Sequence, residues 1–171
     1  MEIFTIAEAD ERVRKDFQQE FAGKMHVMIL EVDIVTLWRK GRFCCAECCG
    51  IPVYSNKCLA MCKICGQQQE LTVNPRIIGS FVDESGTLAG AELAWKNNAW
   101  TELFFGNAQE ARQVELDAMI SPAIEQSWED ITVLDMSSLK DIQDQLLYSR
   151  VTMTFGWSSQ LGRLCVLGIQ W

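Results

Sequence analysis

Cys44-Cys45-Ala46-Glu47-Cys48-Cys49-Gly50 opens, and Cys62-Lys63-Ile64-Cys65-Gly66 closes, a stretch that holds seven of the eight cysteines. Cys45 and Cys48 form one C-x-x-C pair and Cys62 and Cys65 another, with thirteen residues between Cys48 and Cys62. Two such pairs across a short loop have the spacing of a tetrahedral thiolate site. Each C-x-x-C tightens a turn so that two sulfurs face one point, and Gly66 supplies the backbone freedom that this turn needs. Four sulfurs at about 2.3 Å from one zinc ion make a closed structural centre with no open position for catalysis. The expected ligands are Cys45, Cys48, Cys62 and Cys65. Cys44 is the alternative for the first position, and Cys49 and Cys58 lie near enough to substitute. Cys165 stands apart in an apolar run and reads as a small core residue.

Other uses of the thiols fit less well. A disulfide framework suits a secreted chain, but residues 1–24 are charged and polar and do not resemble a signal peptide. A thioredoxin-like redox pair needs one C-x-x-C, not two. Abundant thiols therefore point to a reducing compartment, cytosol or nucleus. The 171 residues fit one domain, 1–171, with residues 43–70 as a ribbon inserted in it. About half of the residues are hydrophobic, 49%, which suffices for a core, and no apolar run approaches the length of a membrane span. Charge is uneven. Residues 1–76 hold 10 Lys/Arg against 10 Asp/Glu, whereas residues 77–171 hold 5 against 13, so the net charge of −8 resides in the second part. Non-specific phosphate binding needs cationic surface, so any nucleic-acid contact must use a local patch in the first part.

The rest of the chain reads as short strands with a helical link. Thr5 and Glu8 form a capping box. Ile6, Ala9, Val13, Phe17 and Phe21 then recur at helical spacing, with Gly23 available to close the helix. Residues 25–38 are β-branched and partly alternating, and predict the first strand. Residues 76–82 and 87–95 flank Asp83-Glu84-Ser85-Gly86 and predict a hairpin, with Gly79 marking a bulge or bend. Between 97 and 148 come helix starts at Asn98, at Asn107 with Glu110, at Ser121-Pro122, at Ser127 and at Ser138. Residues 150–157 and 163–171 predict the last two strands. Five strands with a helical link between the third and fourth form the layout of an OB-fold, a small Greek-key barrel. The fold class expected is thus mainly β: a five-stranded barrel with a zinc ribbon after the first strand and an N-terminal helix.

That layout resembles the C-terminal single-stranded-DNA-binding domain of the replication protein A large subunit. The features that carry the likeness are Trp38-Arg39-Lys40 leaving strand one, the four cysteines, and Asn98-Ala99-Trp100-Thr101-Glu102-Leu103-Phe104 opening the helical part. Among relatives with such a terminal domain, the chain is most similar to the shieldin DNA-end-protection family, with the telomere-capping and meiotic OB-fold families as weaker matches. The resemblance implies a nuclear, chromosome-associated DNA-repair module that binds a protein subunit of its own complex, shieldin subunit 1 in the shieldin case, and contributes to single-strand engagement. For the protein interface, the surplus aromatics Trp95, Trp100, Phe104, Phe105 and Trp128 are the candidates. For the DNA face they are Trp38, Arg39, Lys40, Arg42, Phe43 and Arg76, with Lys57 and Lys63 nearby. An enzyme is not expected, and neither is a small-molecule substrate or a membrane partner. His26 is the one histidine and reads as structural, Asp83-Glu84 and Glu129-Asp130 read as turn and capping acids, and no phosphate-binding glycine loop is present.

Overall fold

The computed structural model describes residues 1–106 and 126–171. Its centre is β1 (Ala22–Val32), whose alternation buries Gly23, Met25, Val27 and Ile29 and exposes His26 and Leu30. A strand in the interior of a sheet satisfies its backbone by pairing on both edges. Here β10 (Arg150–Ser158) and β7 (Ile78–Val82) do so, both antiparallel. β8 (Thr87–Ala89), β11 (Arg163–Gln170) and β9 (Ala94–Trp95) complete a six-stranded sheet in the order β8-β7-β1-β10-β11-β9. The β1–β7 register slips between Ile29 and Val32. Gly79 faces this bulge, where a Cβ would lie 2.7 Å from the Glu31 Cβ. The expected second hairpin strand breaks at Gly90, because any Cβ there would sit 1.9 Å from the Ile78 carbonyl oxygen. β8 and β9 are the two halves of that strand, one at each end of the sheet. Among the described residues the ladders run from β8 to β9, and the architecture they show is mainly β.

Residues 44–73 form two small sheets. β2 (Cys44–Cys48) lies between β3 (Ile51–Ser55) and β6 (Thr72–Val73), and β4 (Leu59–Met61) pairs with β5 (Gln68–Glu70).

The helices differ from the sequence reading in four places. α1 (Ile6–Lys15) has the capping box at Thr5 and Glu8 but stops at Asp16. Phe17 and Phe21 leave the helix to pack on Trp157 and on Phe4 and Phe155, and Gly23 belongs to β1. The expected strand 25–38 ends at Val32, and α2 (Ile34–Arg39) follows, so Trp38 and Arg39 lie on a helical turn. Asn98 lies inside α3 (residues 97–106), where its amide donates to Glu102 Oε1 and to the Leu167 carbonyl. α4 (Met136–Leu146) is capped by Asp135, which accepts the Ser138 N–H, rather than by Ser138 itself. Ser127 does open a short 3-10 helix, Trp128–Val133, through a capping box with Asp130. The starts at Asn107 with Glu110 and at Ser121-Pro122 lie outside the described residues.

One aromatic chain joins these parts. Phe81 of β7 meets Trp95, Trp95 stacks on Trp100 at 3.8 Å, Trp100 stacks on Phe104, and Phe104 meets Phe43 at a tilt at the base of the ribbon. Phe43 in turn touches Trp38 of α2 edge-on. Each such pair contributes about 0.5–1.5 kcal/mol beyond its buried area. Trp100, Phe104 and Trp128 are buried, and Trp95 and Phe105 are half-buried against the same core. The aromatic surplus of the second half is therefore core packing, and these side chains do not form an exposed set of interface anchors.

Candidate metal centre and cationic face

The thiols that converge are Cys48, Cys49, Cys62 and Cys65, whose sulfurs all lie within 4.8 Å of one another. Cys48 Sγ is 3.8 Å from Cys49 Sγ and 3.6 Å from Cys65 Sγ. Sulfurs placed tetrahedrally at 2.3 Å from a metal are about 3.8 Å apart, so the group has the dimensions of such a site before any ion is bound. Cys49 stands where the sequence reading has Cys45. The reason is the strand period. Cys45 and Cys48 both lie in β2, and residues three apart in an extended strand face opposite sides. C-x-x-C converges in a turn, not along a strand. Convergence is supplied instead by the β2–β3 hairpin, where Cys48 pairs with Ile51 across the two-residue turn Cys49-Gly50. Both turn residues have positive φ, 54° and 75°, as the hairpin turn that matches strand twist requires. Cys44 is fully buried in the core, and Cys58 and Cys165 are half-buried. None of them joins the group.

The second pair behaves as the spacing predicts. The Gly66 N–H donates to the Cys62 carbonyl at 2.9 Å, and Gly66 takes φ 71°. This turn aims the Cys65 and Ile64 N–H groups at the Cys62 sulfur and lowers its thiol to about 7. Hydrogen bonds with Cys65 and Cys62 push the Cys48 thiol up to about 12. Thiolates are the ligands, so an incoming cation displaces the protons that remain on the group. Among the described residues, these four are the one cysteine group close enough to hold a metal ion. Compared with known proteins, the chain matches no protein-family model and no curated protein.

Beside the ribbon lies a cationic face. Arg39, Lys40, Arg42 and Arg76 are exposed, while Phe43 is fully buried. Phe43 thus holds the loop from below and presents no ring to solvent. Trp38 is half-buried against it. Residues 38–43 are clamped by two asparagines that the sequence reading did not single out. Asn56 donates to the Trp38 carbonyl at 2.7 Å and accepts the Phe43 N–H at 3.2 Å. Asn74 donates to the Arg42 carbonyl at 2.9 Å and accepts the Arg76 N–H. Both asparagines sit just beyond strand-like runs, which is the signal that could have flagged them. Among the described residues, every ion pair belongs to Arg12, Arg14, Lys15 or Lys140. The cations of the ribbon side have no carboxylate partner there. Lys40 and Arg76 line one groove of about 350 Å³, with Leu37, Gly79 and Asp33.

His26 lies on the outer face of β1, with Nδ1 2.9 Å from Thr152 Oγ1. It shares a cavity of about 580 Å³ with Asp83, Glu84, Arg150 and Trp171. Asp83 is committed elsewhere in structure. Its Oδ2 accepts the Ile6 N–H, and its Oδ1 accepts from Ser85 and Gly86.

Proposed function

We propose that the chain is a non-enzymatic binding module, an OB-type barrel with a zinc-stapled ribbon, that engages single-stranded nucleic acid on its ribbon-side cationic face. The observation that carries this reading is the set of exposed cations, Arg39, Lys40, Arg42 and Arg76, without ion-pair partners among the described residues, on a backbone fixed by Asn56 and Asn74. A preorganised cationic surface loses little freedom when it meets phosphates. The barrel reading is supported by β8 and β9, which lie in one stretch of chain yet end the sheet on opposite sides. Zinc is supported by the all-thiolate donor set, which suits that ion and fills four positions. A filled coordination shell offers no Lewis-acid site. The test is titration with a single-stranded oligonucleotide at two salt concentrations. Affinity should fall with salt, and Lys40→Gln with Arg76→Gln should reduce the slope of log K against log salt by roughly 1.4, at about 0.7 per lost contact. Affinity indifferent to both salt and the substitutions would sink it.

A protein partner is the second reading, favoured by one observation. Leu59, Met61 and Ile64 are 51%, 65% and 61% exposed on the ribbon, an unusual concentration of apolar surface. On this reading the chain resembles shieldin subunit 2, and the ribbon would seat a subunit of the same nuclear DNA-end-protection complex, shieldin subunit 1 in that case. Retention of a partner by the wild type but not by Leu59→Ser with Met61→Ser supports it, and equal retention by both refutes it.

A further inference from the structure

Tyr54 was no part of the sequence reading, yet it is 37% exposed in the middle of β3 and sits among the ribbon-side cations. The Arg42 guanidinium carbon lies over its ring, 5.0 Å from the centroid. In β2 the residue opposite Tyr54 is Cys45. Asn74 donates to the Arg42 carbonyl and accepts the Arg76 N–H, so Arg76 belongs to the same patch. Arg42 is held by the Asn74 clamp on its carbonyl. An exposed ring backed by a cation, with further cations nearby that have no ion-pair partner among the described residues, combines a stacking surface with phosphate sites. Sequence-tolerant binding of unpaired strands needs both of these.

We propose that Tyr54, with Arg42 behind it, is the stacking platform for one unpaired base, and that Lys40 and Arg76 hold flanking phosphates of the same strand. This rests on the nucleic-acid reading above and sharpens it: the ligand is a strand with a free base, and a duplex offers no ring to Tyr54. Leu37, Ile78 and Ala91 give the Lys40–Arg76 groove apolar walls, with Thr36 as a further polar group beside the two cations. Asp33 in the same groove limits how close the strand can lie at that end.

The experiment measures binding of labelled single-stranded DNA, single-stranded RNA and duplex DNA to wild type, Tyr54→Phe, Tyr54→Leu and Arg76→Gln. Metal content and far-ultraviolet circular dichroism of each variant show that the fold is kept. Tyr54→Phe should bind as wild type. Tyr54→Leu keeps apolar bulk without the ring and should weaken single-strand binding by about 5- to 100-fold, the value of one stacked base. Its salt slope should stay unchanged, whereas Arg76→Gln should lower the slope by roughly 0.7. Duplex binding should be weak and equal in wild type and Tyr54→Leu. Wild-type binding that Tyr54→Leu leaves intact overturns the platform and leaves the cationic face standing. Equal preference for duplex also overturns it. Absence of wild-type binding to any of the three probes removes the underlying reading, and the platform with it.

Discussion

Cys49 holds a left-handed backbone with φ 54°, which for a residue with a Cβ costs about 1 kcal/mol or more. Strain of that kind persists where something else depends on the geometry, and here it brings Sγ of Cys49 to 3.8 Å from Sγ of Cys48. Cys49→Asn separates the two roles. Asn-Gly is the preferred pair for this turn, so the hairpin should form as well as before, while metal affinity falls by more than tenfold, since even outer-shell losses cost about 10- to 100-fold. Cys45→Ser should keep a full equivalent of metal. Metal analysis after dialysis against a weak chelator checks both, and the opposite ranking would return Cys45 to the ligand set. Gly90 is a second residue with a single permitted identity. A Cβ there meets the Ile78 carbonyl oxygen at 1.9 Å, whereas one at Gly86 meets only the Ile6 methyl at 3.5 Å. Gly90→Ala should therefore cost about 3 kcal/mol or more in urea unfolding, and Gly86→Ala less than about 1. The sequence made the thiolate cluster legible through its doubled spacing. It hid which first-pair thiol points inward, because that depends on whether residues 44–48 form a loop or a strand. Gly50 followed by the strand-like Ile51-Pro52-Val53-Tyr54 was the available clue that the turn lies at Cys49.

Elements in this fold are terminated by partners far away in sequence. α1 shows it best. Its first three N–H groups have no partner within the helix, and they go to Asp83 Oδ2 at 2.7 Å, Ser85 Oγ at 2.9 Å and Thr5 Oγ1 at 3.2 Å. Two of the three caps thus come from the β7–β8 turn. Partial burial raises the Asp83 carboxyl, but hydrogen bonds from the Ser85 hydroxyl and the Ile6, Ser85 and Gly86 N–H groups outweigh it, and the net shift is downward. A depressed carboxyl favours the folded state where it is ionised. Its contribution is fully present above the ordinary aspartate value of about 3.9. It is lost as pH falls below that value and through the folded-state one. Asp83→Asn should lower stability by about 1–2 kcal/mol at pH 7 and flatten the loss of stability between about pH 4 and pH 2. Urea midpoints across that range are the measurement, and parallel acid slopes in the two proteins would show that another group dominates. The capping box at Thr5 and Glu8 was readable from four residues, whereas the Asp83 cap was not, since nothing local says that a turn 77 residues on docks there. The same limit explains α2. Its residues Ile34 to Trp38 are β-branched and aromatic, yet the buried Ile34, the Asp33 N–H on the Ile77 carbonyl and the Val35 N–H on Gln143 Oε1 turn the chain into a helix. Tertiary contacts override propensity there.

Across the whole molecule, one core runs from the six-stranded sheet into the base of the ribbon through Phe43, Cys44, Leu71 and Val73. The ribbon's far end differs. Residues 63–68 are exposed, and of the four clustered cysteines only Cys62 is buried. Small folds without enough core depend on their metal outright, but here β1, β10 and β11 bury Met25, Ile29, Met153, Phe155 and Val166 without help from it. Metal removal should therefore unfold a part and not the whole. With a strong chelator, amide exchange should rise by at least about a hundredfold in residues 48–50 and 59–70, which have few buried contacts to resist opening. Protection of Met25, Val27, Met153 and Phe155 should change by less than tenfold, that is, by under about 1.4 kcal/mol. The aromatic chain from Phe43 through Phe104 and Trp100 to Phe81 lies between the two regions, and it should keep near-ultraviolet circular dichroism signal after chelation. Acid should mimic the chelator, because thiolate ligands must shed protons before they bind metal and regain them as pH falls. Exchange that accelerates equally in β1 and in the ribbon would mean that the metal holds the entire fold. The cationic face would then also be lost with it, because Arg42 and Arg76 are positioned through Asn74 and Phe43 at the ribbon's base. Under local unfolding confined to residues 48–50 and 59–70 the face survives together with Tyr54 in β3, and single-strand affinity after chelation should change little.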